Sequence, residues 1–299
     1  MDREYIDFVK KDFDDSRYYA RVNGYKDSIN KIEEVACILA DMPICSNSFP
    51  LIFDSLDSSL SFCKIIFSSS RTLWSITKVL ELGNFADAYM LTRKFRDDLF
   101  FFLHMYISCK EAFSLVNGNA YSKSDYEIFG KTWLKNSRSK QYKFFHYFES
   151  LLEKEKYKAF REKFDIKERF KSINKILNSN VHGSGIAYLN YSYEFYKALN
   201  YPNEVGELIN RKIEKPVDII IYMTLVFGAM LAIDNPSLIT SNDYVDALDL
   251  GLKPIENSQY WVIPMLDEFL HKGDSVIGKG CVDFLALETG CIFSDMTPS

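Results

Sequence analysis

Cysteine is scarce and nowhere arranged for chemistry. The six cysteines, Cys37, Cys45, Cys63, Cys109, Cys281 and Cys291, include no Cys-x-x-Cys pair. The usual zinc-ligand spacing is therefore missing, and reduced thiols inside apolar helical patterns are the expectation. Positive charge is not in surplus either. With 36 Lys and Arg against 41 Asp and Glu, a net charge of -5, the chain is no bulk nucleic-acid coat, although a local basic site is compatible with that total. Behind Met1-Asp2-Arg3-Glu4-Tyr5 there is no apolar segment of a secretory leader, so the cytoplasm is the expected compartment. Long hydrophobic runs are also lacking. The longest, from Ile219 to Ile233, spans 15 residues between Asp218 and Asp234. A membrane span needs about 20, and the acidic flanks lack the Lys/Arg asymmetry of an anchor. A central buried helix is expected, with no membrane contact. There is no internal repeat and no low-complexity tract. Gly278-Lys279-Gly280 has neither the Walker spacing nor a dinucleotide fingerprint.

What remains is a globular composition, 47% apolar and 26% charged over 299 residues, enough for one large domain or two smaller ones. Charge is distributed unevenly along it. Residues 1–130 carry a net -4, residues 131–175 a net +8, residues 176–235 a net -2 and residues 236–299 a net -7. The acidic average thus conceals one basic block and an acidic C-terminal region.

Helical periodicity dominates as far as residue 235. Leu60, Cys63, Phe67, Ser70, Trp74 and Thr77 recur at steps of three and four, predicting a helix that stops at Gly83-Asn84. Phe85, Tyr89, Thr92, Leu99, Leu103 and Tyr106 share the face of the next one, so the pair reads as an antiparallel hairpin. Further helices are expected at 139–164, 166–178, 186–199, 204–213 and 216–233, the last with Pro216 in its first turn. After Asn235-Pro236, prolines and glycines separate short apolar stretches such as Tyr260–Ile263 and Val282–Leu285, which suit short strands and loops better than long helices. The expected architecture is mainly α: an N-terminal helical extension (1–54), a helical bundle (55–235) and a small irregular, β-containing acidic appendage (236–299).

Two places invite a chemical reading. At about 100° per residue Arg96 falls in the middle of the apolar face of the second hairpin helix. A buried guanidinium is costly unless it is paired or faces a ligand. Arg93, Asp97 and His104 lie at the edge of that face, with Arg93 and Asp97 at the i,i+4 spacing of an ion pair. Arg96 then reads either as snorkelling or paired with a buried carboxylate, or as a phosphate clamp. The second place is Asn174 to Gly185, where Asn178 and His182 stand one helical turn apart and Gly183 and Gly185 relax the backbone beside the imidazole. A structural histidine and a catalytic one both fit. Upstream, the basic block interleaves Trp133, Tyr142, Phe144, Phe145, Tyr147 and Phe148 with its cations. It suits either single-stranded RNA, through phosphate contacts and stacking, or a solvated helix face.

The Asn178-x-x-x-His182-Gly183 sequence behind a basic amphipathic helix, with Ala88-x-x-Leu91-x-Arg93-x-x-x-Asp97 upstream, resembles the HEPN superfamily in its divergent bacterial branches, over roughly residues 55–235. That resemblance implies a metal-independent endoribonuclease of a bacterial defence or toxin–antitoxin system, needing no cofactor. His182 is its acid/base group, Asn178 orients it, and Arg96 or Arg93 stabilises phosphate charge; Lys175, Lys171, Arg169 and Trp133 contact RNA. It also implies a site formed across a homodimer, and a protein partner from the same system. Where the family places arginine directly before the polar residue, this chain has Leu177. Three outcomes follow from that departure. Lys175 takes the arginine's role, or Arg93 or Arg96 does so from the neighbouring helix, or the domain keeps only a role in binding a partner protein or nucleotide.

Overall fold

The computed structural model describes residues 3–4, 6–8, 25–46, 63–82, 84–112, 144–181 and 202–294. Among these residues the protein has eleven α-helices and no β-strand, and is mainly α as expected. The helices are α1 (Tyr25–Cys45), α2 (Cys63–Glu81), α3 (Phe85–Ala112), α4 (Phe144–Leu152), α5 (Lys158–Lys163) and α6 (Ile166–Val181). They continue with α7 (Pro202–Asp234), α8 (Asp243–Asp249), α9 (Pro264–Lys272), α10 (Asp274–Ile277) and α11 (Cys281–Thr289). The chain divides into two compact units. One holds Met1–Cys37, Ser70–Arg96 and Glu168–Ile221; the other holds Ile38–Ser69, Asp97–Lys167 and Tyr222–Ser299. The divisions fall within α1, α2, α3, α6 and α7 rather than in loops.

In the first unit, α2 and α3 are joined at Asn84, whose side-chain Oδ1 accepts from the Asp87 amide at 3.3 Å while its own amide closes the end of α2 on the Val79 carbonyl at 2.9 Å. Lys94 of α3 donates to Thr72 of α2 at 3.2 Å, two positions equally far from the turn, as an antiparallel hairpin requires. The buried face of α2 differs from the sequence expectation by one residue. Ile66, Leu73, Ile76 and Leu80 face the interior, whereas Phe67 and Trp74 are exposed at 38% and 41%. The aliphatic set wins because Ser70, on its border, donates from Oγ to the Ala36 carbonyl of α1 at 2.8 Å and so fixes the helix rotation.

In the second unit, Phe100 packs edge-on against Phe148 at 4.8 Å, and Phe102 against Phe227 of α7 at 6.0 Å. The region expected as one helix over 139–164 is, where described, two helices and a 3₁₀ turn (Glu155–Tyr157), because Lys154 is extended (φ -66°, ψ 137°). Asp165, at φ 50°, then separates α5 from α6. The expectations at 204–213 and 216–233 merge into the single helix α7 with Pro216 inside it. Proline removes one backbone hydrogen bond, but the turns that follow bury Val217, Ile220, Met223 and Val226. From Lys215 to Asp234, with mean hydropathy 2.0, α7 is long and apolar enough to cross a membrane, yet 83% of its most apolar window is buried inside the protein. It is a core helix.

The C-terminal region corrects a second expectation. Tyr260–Ile263 is irregular, within the expected choice of strand or loop, and Val262 and Trp261 make isolated bridges to Thr240 and Ile292, whereas the second stretch departs from it. Val282–Leu285 is helical within α11. Here the deciding group is Asp274, whose carboxylate accepts the amides of Gly280 and Cys281 at 2.9 Å each and so satisfies the start of that helix. The same contact occupies the Gly280 and Cys281 amides at the start of α11 with the protein's own carboxylate.

Cys281 and Cys291 are buried, Cys37 and Cys45 half-buried, and all four are free thiols. Burial, and then the nearby Asp274 carboxylate, push the Cys281 thiol up from 9.0 to about 12. The unfolded chain releases this proton near 9 while the native protein keeps it, so stability is lost as pH rises from about 9 towards 12. Cys281→Ala is expected to recover about 2 kcal/mol of that loss at a pH roughly 1.5 above the unfolded thiol's pKa. Urea melts at neutral and alkaline pH check it; equal alkaline losses in wild type and variant contradict it.

Candidate functional site

The site residues centre on α6 and on the part of α3 in the same unit. Along α6, Ile166, Phe170, Ile173 and Leu177 recur at helical spacing and are buried. The outer face carries Arg169, Lys171, Lys175 and Asn178, all exposed. Leu177, fully buried, therefore occupies a core position, and the place directly before Asn178 presents no cation.

Arg96 is 2% exposed, on the apolar face of α3 as its periodicity demands. Its Nη1 donates to Asn174 Oδ1 of α6 at 2.6 Å. One partner of the guanidinium is thus an amide on α6, one turn before Asn178. A guanidinium enclosed in this way fixes α6 against α3. Arg93, half-buried, makes no hydrogen bond or ion pair among the described residues, so the Arg93–Asp97 pair expected from spacing is not formed. Lys175 and Asn178 are likewise uncommitted there, one turn apart on the outer face. His104 packs against the Tyr147 ring at 5.5 Å, and the Tyr147 hydroxyl donates to the Asp97 carbonyl at 3.0 Å, which gives these residues structural roles. His182 and Trp133 lie outside the described residues; α6 ends at Val181, immediately before His182.

Much of the described basic block is already engaged by carboxylates. Lys156 pairs with the buried Asp234, Arg161 lies 3.5 Å from Glu153, Lys171 pairs with Glu168, and Lys167 pairs with Glu153 at 2.9 Å. The hydrogen bond of that last pair holds the Glu153 carboxyl below its ordinary range and the Lys167 ammonium above it. Tyr147 and Phe148 are buried and offer no stacking surface. Lys163 lies over the rings of Phe164 and Phe284 at 5.2 and 5.0 Å.

Sequence reasoning passed over Asn174, whose place at the head of the Asn178–His182 stretch was its only signal, and an Asp–His pair at i,i+4 on α9. His271 Nδ1 lies 2.9 Å from Asp267 Oδ1 and 3.0 Å from the Asp267 carbonyl, while Asp267 Oδ2 accepts the Ser294 amide at 2.8 Å. These contacts tie the segment after α11 to α9. No cluster of metal-ligating side chains occurs among the described residues. Comparison with known proteins finds no match: no family profile fits the chain, and no curated protein or solved structure is similar to it.

Proposed function

We propose that the protein is a HEPN-like, metal-independent endoribonuclease acting as toxin or effector in a bacterial defence or toxin–antitoxin system, with His182 as its acid/base group. The observation that carries this reading is the end of α6. Lys175 and Asn178 stand exposed and uncommitted on its last turns, directly before His182, while Arg96 holds the helix through Asn174. His182 takes the proton of a ribose 2′-hydroxyl as its oxygen attacks the adjacent phosphorus, the 5′-oxygen leaves with a proton, and a cyclic phosphate results. Lys175 stabilises charge on the phosphate oxygens, with Arg93 as the second available cation, and Asn178 orients the imidazole or the phosphate. Arg96 is a positioning residue. Paired copies of the chain form the active dimer, and a partner protein restrains it.

The second reading, a non-catalytic protein of similar architecture that binds a partner or nucleotide, draws on the buried Leu177 at the place where the family carries arginine. Incubating wild type and His182→Ala with tRNA and total RNA in EDTA separates the two. Cleavage by wild type alone, slowed about a hundredfold or more in Lys175→Ala, is expected. No cleavage by either protein, or equal cleavage by both, overturns the first reading.

A further inference from the structure

The surface between α8 and the Ser258–Tyr260 turn is apolar without being buried. Leu250 is 74% exposed, Ile255 64% and Leu252 60%, and Leu248 and Val245 are exposed beside them. α8 buries none of its residues. A helix of seven residues does not persist on its own, so this one is held from outside its side chains. Ser241 Oγ accepts the Asp243 amide at 3.3 Å, Leu252 N donates to the Ala247 carbonyl at 2.8 Å across the left-handed Gly251, and the Ser258–Tyr260 turn packs on the helix. Ser258, itself buried, donates from Oγ to the Ile255 carbonyl at 2.8 Å. The strip is therefore an ordered surface whose leucines contribute nothing to the core beneath it, the kind of exposed apolar patch that marks an interaction site.

Its charges choose the occupant. Asp243, Asp246, Asp249 and Glu256 border the apolar residues, with Lys253 as the single cation between 243 and 256. On α8, Val245 and Leu248 lie about 60° apart and the three aspartates follow around one side. Anionic lipid and RNA are repelled by this border, and a second copy docked symmetrically sets carboxylates against carboxylates. We infer that the strip is the docking surface for a cationic amphipathic helix of a partner protein, its apolar side chains on Leu248, Leu252 and Ile255 and its Lys or Arg residues on the aspartates.

The test uses the full chain and two fluorescein-labelled helical peptides of equal length, one of Leu and Lys, the other with Glu replacing Lys, read by anisotropy. The Leu/Lys peptide is expected to bind and the Leu/Glu peptide not to. Leu248→Ser with Leu252→Ser weakens binding about tenfold or more by removing apolar contact. Asp246→Asn with Asp249→Asn weakens it severalfold and flattens its salt dependence. Both double variants melt as the wild type does, since all four side chains are exposed. Equal affinity for the two peptides, or affinity unchanged in the Leu variant, overturns the inference. So does sedimentation showing a dimer that the Leu variant abolishes, or strip-dependent binding to lipid vesicles, because either assigns the surface to a different occupant.

Discussion

Arg96→Ala is expected to lower stability by about 2–4 kcal/mol and the melting temperature by roughly 5–10 °C. The side chain is 2% exposed and bonded to Asn174 at 2.6 Å, so truncation removes packed volume and a charge-assisted hydrogen bond together. Release of a buried charge offsets part of that loss, which keeps the figure below that of a core aromatic. Asn174→Ala costs less, because Asn174 is half-buried and water can replace its amide. The double variant is less destabilised than the sum of the two, with a coupling of about 1–2 kcal/mol, because both singles break the same bond. Thermal melts and urea titrations of the four proteins measure this. An unchanged melting temperature with loss of RNA binding gives the opposite result, an arginine turned towards phosphate.

This contact also marks how far the sequence could be read. Periodicity alone put Arg96 on the apolar face of α3, since a helix repeats at a fixed angle and six neighbours agree on the direction. The partner was beyond reach, because Asn174 lies 78 residues away and nothing local binds the two. The same division runs through the fold. The helical character of the chain was legible, but the rotation of α2 was settled by Ser70 on the Ala36 carbonyl, a contact across 34 residues. Val282–Leu285 is an apolar run too short to separate strand from helix by pattern. The Asp274 carboxylate decides it, from outside the run. In the basic block the excess charge could be counted, but its partners, Asp234 for Lys156 and Glu153 for Lys167, are tertiary neighbours. The candidate site follows the same rule. Asn178 and His182 could be placed one helical turn apart from their spacing, while the burial of Leu177 depends on what α6 packs against.

Gly273→Ala is expected to destabilise the protein by about 1–3 kcal/mol, and the cause is volume alone. Gly273 sits at φ -76°, a conformation alanine adopts freely, so no backbone strain is involved. An added Cβ there would lie 2.3 and 2.6 Å from the Leu225 methyl carbons and 3.0 Å from its Cγ. Leu225 is 1% exposed within α7, in an interior packed as closely as protein cores are. Gly228, also on α7, supplies the contrast: its added Cβ meets Leu266 Cδ1 at 3.7 Å, an ordinary contact, and Gly228→Ala should stabilise by up to about 1 kcal/mol through helix propensity. Leu225→Ala by itself costs about 2–5 kcal/mol through the cavity it leaves. In that background the clash is gone, and the further step Gly273→Ala should cost nearly nothing. Urea melts of the two singles and the double form a closed cycle. Equal costs of Gly273→Ala with and without Leu225 would show that glycine is required at this junction for its backbone. A cost that disappears with Leu225 identifies the missing side chain at 273 as the space into which α7 packs.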